Sequence, residues 1–370
     1  MESIEQMIKR LCPKGVEYVK LGEVCEIRRG IRVVKKQLGE EDGYPVFQNS
    51  LTSLGMYQSS NRKAGTTFII CAGAAGEIGY CNSEFWAADD CSTVESDVLI
   101  DRFIYFYLMT QQYKLKSQVR KASVPRLSRE AIENLIIPLP PLEIQSRIVE
   151  VLDKMTTLTA ELEAELEARK QQYEYYRNKL LTFNEIGGGN RQVAWKKISE
   201  ICVLKAGKAI KASELSDIKD SEHQYPCYGG NGIRGYIAKY SHEGRYAIIG
   251  RQGALCGCVN WVEGKFYATE HAVVCTPKTL SDTRFLYFLF TNENLNRYKS
   301  QGAQPGLSVA NLNNIMLPIP PLSEQQRIVS ILDRFEALTT DLQSGLPAEI
   351  EARRQQYEYY RNKLLTFEAV

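Results

Sequence analysis

The chain has 370 residues, 44% of them hydrophobic, and a net charge of +2, so it is long enough for two or more domains with real cores and too apolar to be disordered. No stretch approaches the roughly 20 apolar residues of a membrane span, and the opening "MESIEQMIKRLCPKGVEYVKLGEVC" has no apolar run of signal-peptide length, so the expected compartment is the cytoplasm. Ten cysteines without a C-x-x-C pair, beside three histidines in all, point to reduced, mostly buried thiols rather than to a zinc site or a disulfide framework. Cys256 and Cys258 in a C-x-C, and Cys71, Cys81 and Cys91 spaced ten apart, read as core packing.

In chain order, residues 1–141 form a first globular region. "VEYVKLGEVCEIRRG" leads into "RRGIRVVKK", which holds Arg28, Arg29, Arg32, Lys35 and Lys36 without an acid. "TTFIICAG" is a β-branched run that predicts a strand, and "RFIYFYLMTQQYKLK" predicts one amphipathic helix. "GAAGEIG" at Gly73 to Gly79 lacks the lysine of a phosphate loop and reads as a tight β turn. Pro140-Pro141 cannot lie inside a helix and marks the end of the region. From Leu142 to Phe183 there is no Gly or Pro, and Ile148, Leu152, Met155, Leu162, Leu166, Tyr173, Tyr176 and Leu180 recur at helical spacing. Residues 142–183 therefore predict a helix roughly 60 Å long.

The plan then repeats. "VAWKKISEICVLKAG" follows the pattern of "VEYVKLGEVCEIRRG", "QPGLSVANLNNIMLPIP" that of "VPRLSREAIENLIIPLP", and "IPPLSEQQRIVSILD" that of "LPPLEIQSRIVEVLD". "QQYEYYRNKLLTF" occurs identically at Gln171–Phe183 and Gln355–Phe367. The chain is a tandem duplication: globular region 1–141, helix 142–183, globular region 184–321, helix 322–370. The middles diverge, sharing spaced marks such as Tyr44-Pro45 with Tyr225-Pro226 and Gly76 with Gly253. A narrow apolar stripe on so long a helix needs another helix, and the second copy is the natural partner in an internal coiled coil. Four extra residues near "GLPAEI", together with Pro347, predict a kink or break there.

Charge separates the parts. The regions carry +1 for 1–141, −2 for 142–183, +5 for 184–321 and −2 for 322–370. Lys205, Lys208 and Lys211 stand in the second half where the basic cluster stands in the first, and two basic loops at matched positions suit phosphate contact. No Walker A sequence, no GxGxxG opening a helix and no Asn-Pro-Pro-aromatic or Asp-Pro-Pro-aromatic motif is present, so no catalytic residue, metal or cofactor is assigned to the chain. "EGK" at Glu263–Lys265 lacks a carboxylate partner for a nuclease and reads as a Gly-containing strand turn. His271 stands opposite Asp90, a change of residue type that argues against a shared catalytic role.

Two variable globular regions, each followed by a PPL-x-x-Q-x-RIV-x-x-LD helix and a closing "YRNKLLTF", resemble over essentially the whole chain the DNA specificity subunit of a type I restriction-modification enzyme. The resemblance implies an α+β fold in which a mixed β/α target recognition domain plus a long helix is duplicated. The two helices would pair as an antiparallel coiled coil with pseudo-twofold symmetry. It also implies a non-enzymatic subunit that binds double-stranded DNA, each domain reading half of a bipartite asymmetric site. Two methyltransferase subunits would bring S-adenosylmethionine, and restriction subunits would bring ATP and magnesium. The DNA-contacting candidates are Arg28, Arg29, Arg32, Lys35, Gln48, Asn49, Lys121 and Arg126 in the first half, and Lys205, Lys208, Lys211, Asn231, Arg234, Arg251, Gln252 and Gln304 in the second. Tyr173, Tyr176, Arg177, Leu180, Tyr357, Tyr360, Arg361 and Leu364 divide between helix seam and partner docking. A coiled-coil protein-interaction scaffold, which would show no salt-sensitive DNA binding, is the alternative, and the basic loops count against it.

Overall fold

The computed structural model describes residues 2–183, 193–253, 255–278, 281–300, 305–341 and 344–370. The chain folds as two compact units, one of Met1–Glu163 with Glu349–Val370 and one of Ala164–Ala348.

In the first unit, an antiparallel sheet runs in the order Glu26–Arg29, Cys91–Glu95, Thr66–Ile70, Ile78–Cys81. Every residue of Thr66–Ile70 is buried, because the strand has cover on both faces. Ile69 belongs to the core that contains Phe103, Phe106 and Leu108 of the helix Asp101–Ser117, whereas Phe68 and Ile70 belong to a separate cluster with Phe47 and Phe85. This alternation is the period of two that a strand imposes. A smaller sheet pairs Met56–Tyr57 with Tyr44–Phe47, and Tyr44–Phe47 with Trp86–Ala87. As expected, the "GAAGEIG" segment holds the turn between Thr66–Ile70 and Ile78–Cys81, its last two residues opening the second strand.

The second unit repeats this plan as one six-stranded sheet, in the order Cys202–Ala206, Ala272–Pro277, His242–Gly250, Val259–Ala268, Tyr225–Gly229, Gly232–Ile237. The same alternation sorts its side chains: Ala247, Ile249, Val273 and Cys275 join the core of the helix Thr283–Glu293, and Ile248, Ala272 and Val274 join the cluster around Phe266. "EGK" lies inside the strand Val259–Ala268, where Gly264 pairs with Gly244 across the ladder, so it is part of a strand and not a turn between strands.

The long helix runs from Leu142 to Leu181, starting directly after Pro141. The second copy starts at Leu322 and is broken: one helix ends at Thr340 and the next runs Leu346–Leu364. Pro347 sits in the first turn of the latter, where a missing N–H costs nothing. Gly345 lies against the end of the preceding helix; a Cβ there would stand 2.7 Å from both Ala337 O and Asp341 O. Each unit contains an antiparallel helix pair. In the first, Arg10 and Glu5 of the N-terminal helix reach Glu143 (3.1 Å) and Lys363 (3.0 Å), while Glu163, far along the long helix, pairs with Arg354 near the start of Leu346–Leu364. In the second, the pair is the end of the long helix with Leu322–Thr340: Tyr176 stacks on Phe335 with centroids 5.6 Å apart, and Leu180 and Leu181 join Ile328 and Leu332 in one cluster. No helix among the described residues is long and apolar enough to cross a membrane. Seven of the ten cysteines are buried.

Candidate nucleic-acid interface and helix faces

In the first unit Tyr44–Phe47 runs parallel to Trp86–Ala87, so both strands deliver their following residues, Gln48-Asn49 and Ala88-Asp89-Asp90, to one edge. Backbone hydrogen bonds draw in further loops. Ala88 N donates to Phe47 O (2.9 Å), Cys71 N to Asp90 O (2.7 Å), Ala74 N to Asn49 O (2.9 Å) and Gly73 N to Pro125 O (3.2 Å). The second unit has the corresponding parallel pair, Cys227 and Tyr228 beside Tyr267 and Ala268. Its bonds correspond too: Thr269 N to Tyr228 O (2.9 Å), Arg251 N to His271 O (2.9 Å) and Gly253 N to Pro305 O (3.2 Å). These bonds correct one expected match. The counterpart of Gly253 is Gly73, while Gly76 corresponds to Gly257, since Gly76 N donates to Ile70 O and Gly257 N to Gly250 O. All four glycines have positive φ, between 81° and 93°, so spacing alone could not tell them apart.

The basic loops are laced to the same place. Gly30 N donates to Cys91 O (2.8 Å) and Ile31 N to Ala87 O (2.9 Å); Gly207 N donates to Ala272 O (3.0 Å) and Lys208 N to Ala268 O (3.1 Å). Both crossings require glycine, because a Cβ on Gly30 would lie 2.1 Å from Ala88 O and one on Gly207 2.0 Å from Ala268 O. Each junction therefore gathers a basic loop, two strand ends, a glycine turn and the loop before Leu127 or Leu307.

Arg29, Arg32, Lys35, Asn49, Lys121 and Arg126 are exposed and Gln48 is half-buried. The Arg29 Nε donates to Asp89 O at 2.8 Å, which fixes that side chain at the junction. Arg28 instead pairs with Glu26 (2.5 Å) and Glu95 (3.6 Å) along the sheet, and the hydrogen bond from Arg28 holds the Glu26 carboxyl below its usual range. In the second unit Lys205, Lys208, Lys211, Asn231, Arg234 and Gln252 are exposed and Arg251 is half-buried; Gln304 lies outside the described residues. Asn231, Arg234 and Gln252 line one recess together with His271, a residue that the sequence analysis had set aside.

The helices carry the other set of candidates. Gln145 and Gln325, the glutamines of the repeated PPL-x-x-Q stretch, are fully buried. Gln145 accepts from Ile100 N (2.8 Å) and donates to Pro140 O (2.8 Å); Gln325 accepts from Asp282 N (2.9 Å) and donates to Pro320 O (2.9 Å). The following Asp153 and Asp333 each accept from an arginine, Arg102 and Arg284, at 2.7 Å. Each guanidinium also lies over three aromatic rings at 4.3–5.0 Å: Tyr80, Tyr105 and Phe106 for Arg102, and Trp261, Tyr287 and Phe288 for Arg284. The repeated signature is thus a clamp that fixes each helix to its globular domain.

In the identical tails, Tyr173, Leu180, Tyr357 and Leu364 pack on the two main cores, and Arg177 and Arg361 each lie 5.5 Å over the ring of Tyr173 or Tyr357. Tyr176 stacks inward on Phe335, whereas Tyr360 is 38% exposed. Tyr175 and Tyr359, off the apolar stripe, are 60% and 62% exposed. Glu174, Asn178 and Lys179 are exposed beside the former, and Glu358, Asn362 and Lys363 beside the latter. An aromatic placed between charged residues and off the stripe was the available signal for this face.

With the repeated fold and junctions in place, comparison with known proteins is direct. The model of the type I restriction modification DNA specificity domain matches residues 13–169 and again 190–352, and the chain belongs to that family as a type I restriction-modification specificity subunit. It is 40% identical over 252 residues to the EcoprrI specificity subunit of Escherichia coli, an alignment covering 65% of this chain and 62% of that one. It is 27% identical to the EcoR124I/EcoR124II specificity subunit of Escherichia coli, covering 99% of this chain and 98% of that one. The crystal structure of an S subunit from M. genitalium shares the fold with a TM-score of 0.70 at 18% identity, covering 95% and 96% of the two chains.

Proposed function

We propose that each target recognition domain reads one half of a bipartite, asymmetric site on double-stranded DNA, and that the paired helices set the separation of the halves and dock two methyltransferase subunits. On this reading the chain is cytoplasmic and performs no chemistry. The methyltransferase subunits supply S-adenosylmethionine, and restriction subunits supply ATP and magnesium in the full complex. The observation that carries the reading is the pair of junctions: the same backbone bonds hold the same loops in both units while the side chains on them differ. Equal scaffolds with unequal side chains are what two different half-sites require, with lysines and arginines positioning the phosphates and other side chains reading base edges. Two half-sites about one helical turn apart, roughly 10 base pairs between centres, let both domains approach one face of the duplex. The helix tails complement this, since exposed tyrosines in stretches of identical sequence, Tyr175 and Tyr359, suit two copies of one partner.

Replacing residues 1–141 by the corresponding domain of another family member tests the modular reading. Sequencing of the DNA modified by the chimera with its methyltransferase subunits is expected to show one half of the site changed and the other kept. A change in both halves contradicts it.

A further inference from the structure

The recess in the second unit has a volume of about 540 Å³ and is walled by Gly229, Gly230, Gly232, Gly253 and Gly306. Glycine walls leave backbone at the surface and let a ligand come close. Asn231, Ile233, Arg234, Gln252 and His271 complete its lining, and Asn231, Arg234 and Gln252 bring an amide and guanidinium set that matches the bidentate edges of purines. Among the described residues no carboxylate lines it: Glu270, next to His271, is turned to the imidazole, with Oε1 at 3.1 Å from Nε2. Among the described residues no ion pair engages Arg234, whose side chain is exposed. The basic loop stands beside it, since Gly207 and Lys208 donate to Ala272 and Ala268, on either side of the Glu270-His271 turn.

The matched place in the first unit has the same backbone connections and different chemistry. Asp90 takes the place of His271, Ala72 that of Gln252, and Arg126 that of Gly306, as the bonds from Cys71 and Gly73 and the bridges Ala72–Arg126 and Gln252–Gly306 show. A site for a common ligand or common partner would keep its lining. A site that must tell one DNA sequence from another keeps its frame and changes its lining.

Resting on the proposed function above, we propose that this recess is the base-reading site of the second domain for purines presented in the major groove, with Arg234 donating to guanine O6 and N7 and Gln252 pairing with adenine N6 and N7. Asn231 and His271 shape its rim, and Arg126 does the equivalent reading in the first domain. Lys208 lies outside the recess and contacts phosphate.

Selection by the full-length chain, with its methyltransferase subunits, from duplexes randomised over about 25 base pairs tests this, comparing wild type with Arg234→Ala, Gln252→Ala, Arg126→Ala and Lys208→Ala. Arg234→Ala and Gln252→Ala are expected each to erase preference at one position of one half-site, with roughly 10-fold or greater loss on the preferred duplex and little change on random DNA. Arg126→Ala acts on the other half-site, and Lys208→Ala weakens all duplexes alike and lowers the salt dependence. A wild type that selects a two-block sequence which Arg234→Ala and Gln252→Ala leave intact, or bind less well only in proportion to random DNA, overturns the assignment and spares the broader reading. A wild type that selects no sequence overturns both. All four side chains are exposed, and matched thermal melts confirm that the variants are folded.

Discussion

Two glutamines show how a single residue type fixes an element. Gln145 and Gln325 each satisfy a backbone N–H at the entrance of the domain's main helix and a carbonyl in the Pro-Pro junction, at full burial. Gln325→Ala leaves Asp282 N and Pro320 O without that partner, and a loss of about 2–3 kcal/mol is expected, read as a lower urea midpoint. Asp101 makes a second case. Burial pushes its carboxyl up to about 6, against the pull of Lys63, so the folded chain holds this proton more tightly than the unfolded chain, whose aspartates titrate near about 3.9. Its contribution to stability is therefore full below about pH 4 and lost as the pH rises through about 6. Asp101→Asn removes that slope, and urea unfolding across this window is expected to show the variant gaining on wild type as the pH rises. Neither role was legible in the sequence. The glutamines stood in the quoted repeat, but a repeated glutamine does not say which carbonyl it will meet, and the burial of Asp101 is set by residues distant in sequence. Asn231, Arg234 and Gln252 stood out as candidates because they are polar residues in glycine-rich stretches, but that they share one recess with His271 was not legible, since the four come from three separate segments.

At the scale of the helices, periodicity and the identical tails predicted long amphipathic helices that pair, and the break between Thr340 and Leu346 fell where four extra residues and Pro347 had placed it. The packing partner of each tail was not legible. Two identical tails carry no information about which core each one joins, and here Tyr173 joins the core of the second unit and Tyr357 that of the first. The inward residues account for part of the identity, since both tails meet an arginine-on-aromatic clamp. They do not account for Tyr175 and Tyr359, which face solvent in both copies. Tyr175→Ala with Tyr359→Ala is expected to abolish co-purification of methyltransferase subunits while leaving the melting temperature within a degree or two, as exposed substitutions do. Leu332→Ala, a fully buried change in the seam, is expected to cost about 2–5 kcal/mol. Equal loss of stability in both variants would remove the distinction between seam and docking face.

For the whole molecule, duplication is the property from which the rest follows. One plan of sheet, helix and junction is used twice, the backbone frame of each junction is kept, and the side chains on it differ. The two-part organisation was legible because repeats leave matched Pro-Pro junctions, clamps and tails in the sequence. The side-chain lining of each junction was not, because the residues that form it are those on which the two halves disagree. Co-expression of the chain with a methyltransferase subunit, followed by sequencing of the methylated DNA, tests the central claim most directly. The account predicts a complex of one chain with two partners that methylates an asymmetric site of two different blocks separated by a fixed spacer. Methylation at a single block, or without sequence preference, would contradict it.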